Sequence, residues 1–135
     1  MNANIEGIDR ITYGVEDVAA CKRFFLDWGL HLVRETDAGL DFESLNGCEL
    51  LVRKTDDPSL PPAVEAGSTL REVIWGVTGE ADLDALRVSL SRQPDFQERQ
   101  GVVSCTDPNG IGTGFRVTRK RATAYERFLR EKATR

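Results

Sequence analysis

The apolar positions of this chain repeat with two different periods, and the switches between them lay out its elements. From Arg10 onward, Ile11, Tyr13 and Val15 alternate with Arg10, Thr12 and Gly14, the period-two pattern of a strand with one apolar face. At Asp17 the period changes. Val18, Cys21, Phe25 and Trp28 recur at spacings of three and four, with Phe24 widening the stripe. That pattern predicts an amphipathic helix capped by Asp17 and stopped at Gly29. Strand-like stretches follow at residues 31–36, 40–44 and 48–54, separated by Asp37-Ala38-Gly39 and by the hairpin signal Asn46-Gly47. In the last of them Cys48, Leu50 and Val52 share one face, and Glu49, Leu51 and Arg53 share the other. The order is β-α-β-β-β.

The same order then returns. Trp75-Gly76-Val77 repeats Tyr13-Gly14-Val15 at a distance of 62 positions, inside a strand over residues 70–77. Leu83, Leu86 and Leu90 form the next helical stripe; Glu80, Asp82 and Asp84 suit its positive end, and Pro94 closes it. Short strands over residues 96–99 and 102–105, a turn at Asp107-Pro108-Asn109-Gly110, and a closing strand over 111–118 complete a second β-α-β-β-β unit. A repeat of this period predicts two copies of one supersecondary unit, neither of which buries its apolar face alone. Residues 55–67 hold three of the five prolines, Pro58, Pro61 and Pro62, and read as the linker. The expected architecture is α+β. Modules at about 5–55 and 68–118 build one domain over residues 1–118, with an open, curved mixed sheet and the helices on its outer face.

Residues 119–135 break the pattern. They carry seven basic and two acidic residues, with Tyr125, Phe128 and Leu129 on one helical face. They predict a basic C-terminal helix or tail that packs on the acidic body or frays.

Composition narrows the function classes. With 135 residues, 40% apolar and 30% charged, the chain has the profile of one globular domain. A net charge of -4 and a pI near 5.1 give no argument for nucleic acid. No apolar run approaches the roughly 20 residues of a membrane span. The first residues lack the basic-then-apolar order of a secretory signal, so the expected location is cytoplasmic, with Cys21, Cys48 and Cys105 as reduced thiols. His31 is the only histidine and has no partner of its kind. No nucleophile–base arrangement stands out, so no catalytic residue is assigned. The glycine-rich run from Asn109 to Gly114 enters a strand, whereas a phosphate loop delivers its amides to a helix start.

The tandem arrangement, with Ile8-Asp9-Arg10-Ile11-Thr12-Tyr13-Gly14-Val15-Glu16-Asp17, Arg23-Phe24-Phe25 followed by Trp28-Gly29-Leu30, and Asp107-Pro108-Asn109-Gly110, resembles the vicinal oxygen chelate superfamily. That superfamily includes glyoxalases, bleomycin-resistance proteins and extradiol dioxygenases. The resemblance covers roughly residues 5–117. It implies two half-barrels around one cleft, and in several members a divalent metal held there. The positions that supply metal ligands in such relatives match Arg10, Glu72 and Gly114 here, with a first-unit counterpart near Leu51. An arginine offers only donors and a glycine offers no side chain. The expectation is therefore no metal and no cofactor. Dioxygenase relatives often carry a degenerate first domain before a catalytic one, and this chain resembles such a domain.

Strand parity picks out the cleft face: Arg10, Thr12, Glu49, Leu51, Arg53, Glu72, Ile74, Gly114 and Arg116. The opposite face, with Tyr13, Val15, Leu50, Val52, Val73, Trp75, Phe115 and Val117, is apolar enough to lie under helices. Arginines beside Leu51 and Ile74 suit a small anionic or aromatic molecule. Alternatively the arginines pair with Glu49 and Glu72, and the face is an interface; an Arg10–Glu72 pair is one such expectation. The expected function is a small-molecule-binding or scaffold domain without an intact metal centre. The alternatives are a metal-dependent extradiol dioxygenase or glyoxalase-like lyase acting with a second domain or partner chain, and a structural dimerisation module. The expected partners are a second copy in a homodimer or a second similar domain, with neither nucleic acid nor membrane.

Overall fold

The computed structural model describes residues 2–134. The strands are β1 (Ile5–Val15), β2 (His31–Thr36), β3 (Gly39–Glu43), β4 (Glu49–Lys54), β5 (Thr69–Val77), β6 (Gln97–Arg99), β7 (Val102–Thr106) and β8 (Gly112–Val117). The helices are α1 (Val18–Trp28), α2 (Glu80–Leu90) and α3 (Ala124–Ala133). Both β-α-β-β-β units are present, and the linker between β4 and β5 has no regular element.

The strands form one mixed sheet in the order β2-β3-β4-β1-β5-β8-β7-β6. Within each unit the first strand runs parallel to the last, β1 with β4 and β5 with β8. The units join through the antiparallel pair β1–β5, where Ile11 opposes Val73. Those two residues are related by the sequence repeat, so a local two-fold axis passes between them. Arg53 beside Gly14 and Arg116 beside Gly76 are equivalent across that axis.

One face of the sheet carries two cores. Val15, Leu40, Phe42, Leu50 and Val52 are buried with Ile11, Tyr13, Val18, Cys21 and Phe25 packed around them. Val77, Leu83 and Val103 are buried with Leu86, Phe96, Phe115 and Val117 around them. The helices are set over these cores by local chemistry. The Asp17 carboxylate accepts from the N–H of Ala20 at 2.9 Å, and Gly29 ends α1 with φ at +107°. Gly39 opens β3 at φ +148°, and the Val52 carbonyl stands where a Cβ would be, so only glycine fits. Trp28 departs from expectation: it sits at the helix end, 69% exposed, and does not join the buried stripe.

The tail also departs from expectation. Residues 119–121 dock: the N–H of Arg119 donates to Asp9 at 2.9 Å, and Arg121 donates to Glu43 at 2.7 Å. Beyond them α3 forms as predicted, capped by Thr123, but buries none of its residues. Three apolar side chains on ten residues are too few to displace its charged groups onto the body. Among the described residues no helix is long and apolar enough to cross a membrane.

Candidate functional site

The concave face of the sheet encloses a cavity of about 750 Å³. Arg10 and Thr12 of β1, Leu51 and Arg53 of β4, and Glu72 and Ile74 of β5 all line it. These six predicted site residues come together because alternate positions of three adjacent strands face the same way. The other three, Glu49, Gly114 and Arg116, do not line it. Gly114 lies under Ile74, whose side chain fills the space a Cβ would take. Arg116 is only 2% exposed and belongs to an ionic network beside the cavity.

In that network Arg116 donates to Asp9 at 3.1 Å and to Glu49 at 2.5 Å. Asp9 also accepts from the Thr118 hydroxyl at 2.8 Å and from the Arg119 N–H. Asp9 reaches this place because β1 bulges there: Ile8 and Arg10 oppose adjacent residues of β5, which leaves Asp9 unpaired and turned inward over Gly76. Burial pushes the Asp9 carboxyl upward, but the Arg119 N–H, the Thr118 hydroxyl and Arg116 outweigh it, and its pKa falls below the usual value.

Arg10 and Glu72 do not form the expected ion pair. Arg10 lies nearest Glu49, with Nε 3.6 Å from Oε1, because its Cα partner across β1–β4 is Glu49. That distance exceeds a hydrogen bond, and the same oxygen is already held by Arg116. The buried Nε of Arg10 is left without a hydrogen-bond partner among the described residues. Glu72, opposite Thr12, likewise has none. Burial raises its pKa above the usual carboxylate value, and the charge of Arg10 offsets this only in part. Arg53 is committed, to Asp41 at 2.8 Å and to the carbonyls of Leu40 and Val52.

Sequence reasoning missed two walls of the cavity. The linker contributes Leu60 and Pro61, held over the cleft by Arg71, which lies over Gly14 and donates to the carbonyls of Pro61 at 2.8 Å and Thr55 at 3.0 Å. The β6–β7 hairpin contributes Arg99, Ser104 and Cys105. The hairpin register holds a usable signal, since Ser104 opposes Gly114 and so shares its face. Nothing in the linker's composition marks where it docks. Replacing Arg71 by methionine should cost about 2–3 kcal/mol through two charged hydrogen bonds. It should also expose residues 55–67 to limited proteolysis, read as faster cleavage in that segment.

Cys105 does not offer a reactive thiolate. Burial raises its pKa, and Asp95 and Asp107 raise it further.

No known family profile matches the chain, and no curated relative does. Solved structures do. An extradiol ring-cleaving dioxygenase from B. fuscum matches over 95% of this chain with a TM-score of 0.71 and 17% identity. The Mn(II)-bound glyoxalase from Novosphingobium aromaticivorans matches over 90% with a TM-score of 0.64 and 22% identity. The chain has the vicinal oxygen chelate fold. It spans 37% of the length of that dioxygenase and 42% of that glyoxalase.

The positions that the resemblance would assign to metal ligands are Arg10, Glu72 and Gly114, with a first-unit counterpart near Leu51. One carboxylate, a permanent cation and two residues without donor atoms do not suit a divalent ion. Among the described residues no group of three or more His, Cys, Asp or Glu side chains is placed to hold one.

Proposed function

We propose that this oxygen-chelate domain is a small-molecule-binding module whose cleft takes a compact anion with an apolar or aromatic body. The observation that carries this is Arg10, whose guanidinium lines a cavity of about 750 Å³ and makes no hydrogen bond among the described residues. A carboxylate of the ligand supplies the acceptor that Arg10 lacks, while Leu51, Ile74 and Leu60 give the body an apolar wall. The volume suits a molecule of metabolite size.

Calorimetric titration with a panel of small aromatic carboxylates, each beside its uncharged amide, tests this. The carboxylates should bind and the amides bind at least ~10-fold more weakly, as expected for a lost charge-assisted hydrogen bond. Arg10→Met should remove the difference. A panel that fails to bind, or binding indifferent to R10M, overturns the reading. Ionised Glu72 repels an anion in the same cleft, and its pKa is raised. Affinity should therefore fall as pH rises through that raised pKa, and be highest below it.

A second reading is favoured by the greater length of the solved neighbours. This unit would then serve beside another paired module in an extradiol-type or glyoxalase-type enzyme, with the metal chemistry residing in the other module.

A further inference from the structure

The outward faces of two helices have no apolar partner among the described residues. On α3, Tyr125, Phe128 and Leu129 are 68%, 51% and 48% exposed. On α1, Phe24 and Trp28 are 57% and 69% exposed, their rings 6.2 Å apart, and they form an aromatic ridge with exposed Arg23 and Asp27 beside it. A chain of this size normally exposes such residues singly, and clusters mark contact surfaces.

Charge says what covers them. The body up to Thr118 has twenty acidic and eleven basic residues, and the tail from Arg119 has two and seven. The tail is complementary to the body, yet α3 buries nothing against its own body. We propose that α3 of one copy docks on the Phe24–Trp28 ridge of a second copy, and reciprocally, in a two-fold dimer.

In that arrangement the apolar edge of α3 covers the aromatic ridge, while Arg127, Arg130 and Lys132 form a basic rim against the acidic body of the other copy. Each copy gives and receives one helix, the self-complementary exchange that closes a two-fold assembly. The hollow of about 410 Å³ beside α3, where Leu45 stands 85% exposed next to Tyr125, extends the same surface. An anionic membrane is the poorer occupant. Three apolar residues anchor a helix weakly in lipid, and the acidic body is repelled.

Sedimentation equilibrium over a wide concentration range, followed in parallel by Trp28 emission, tests the proposal. The wild-type protein should dimerise, with emission shifting to the blue as concentration rises and Trp28 is covered. Phe128→Glu and Trp28→Ala should each weaken dimerisation at least ~10-fold. Added salt should weaken it too, since the rim is ionic. Both substituted side chains are exposed, and circular dichroism verifies that the variants fold. A protein that stays monomeric, a dimer indifferent to either substitution, or a monomer that co-sediments with anionic vesicles through Phe128 overturns it.

Discussion

Asp9→Ala should lower the stability of the folded chain by about 3–5 kcal/mol, the range for removing one partner of a buried ion pair. Asp9 is 1% exposed and Arg116 2%, so solvent cannot replace the lost charge. The substitution also strips acceptors from the Thr118 hydroxyl and the Arg119 N–H, whose hydrogen bonds tie the start of the tail to β1. The Nη1 of Arg116 already lacks a partner among the described residues, so the guanidinium has no reserve of hydrogen bonds. Against a total of about 5–15 kcal/mol for a domain, this loss brings the protein close to unfolding at room temperature. A urea titration measures it as a fall in midpoint. The wild-type protein should show the same dependence in acid. The Asp9 pKa is lower folded than unfolded, so its contribution is complete above the unfolded value and disappears as pH falls through the folded one. The D9A variant should lack that part of the acid transition. A midpoint within experimental error of the wild type would show that Arg116 finds another partner.

Phe42→Ala should be of similar size, about 3–5 kcal/mol, by a different route. Phe42 has no exposed surface and stacks edge-on against Phe25, with ring centroids 5.6 Å apart. It joins β3 to α1, and its loss opens a void among Leu40, Leu50 and Val52 that three hydrogen-bonded strands cannot close. Phe42→Leu keeps most of the volume and should cost less than about 1.5 kcal/mol. Urea midpoints for the pair separate the packing loss from a general sensitivity at this position. If both variants lose the same amount, the defect lies in shape and not in lost volume.

The fold was legible in the sequence wherever one residue type answers one geometric demand. Asp17 and Gly29 mark the ends of α1 because a cap needs a short acceptor and a left-handed stop favours glycine. The two faces of β1, β4 and β5 follow from period two, and this brought Arg10, Thr12, Leu51, Arg53, Glu72 and Ile74 to one cavity from sequence alone. Period two failed at Asp9. A bulge adds one residue to a strand and reverses which way its neighbour points, and no local pattern announces it. Arg116 was read as a ligand-binding residue for that reason: its parity is right, but its guanidinium had already been claimed by an aspartate 107 positions away. The linker's place over the cleft was hidden in the same way, because the hold on it comes from Arg71, outside the linker. The exposure of α3 is a failure of another kind. Amphipathic spacing tells which side of a helix wants cover, and does not tell whether that cover lies in the same molecule.

Across the local two-fold axis, Asp9 over Gly76 is mirrored by Arg71 over Gly14. The repeat therefore carries opposite signs at matching places. If two second units tried to close on each other, Arg71 of one would be forced against Arg116 of the other, two sealed cations with no anion between them. The sequence divergence of the halves thus acts as a key: it forbids homotypic closure of the second half and favours a seam between unlike halves.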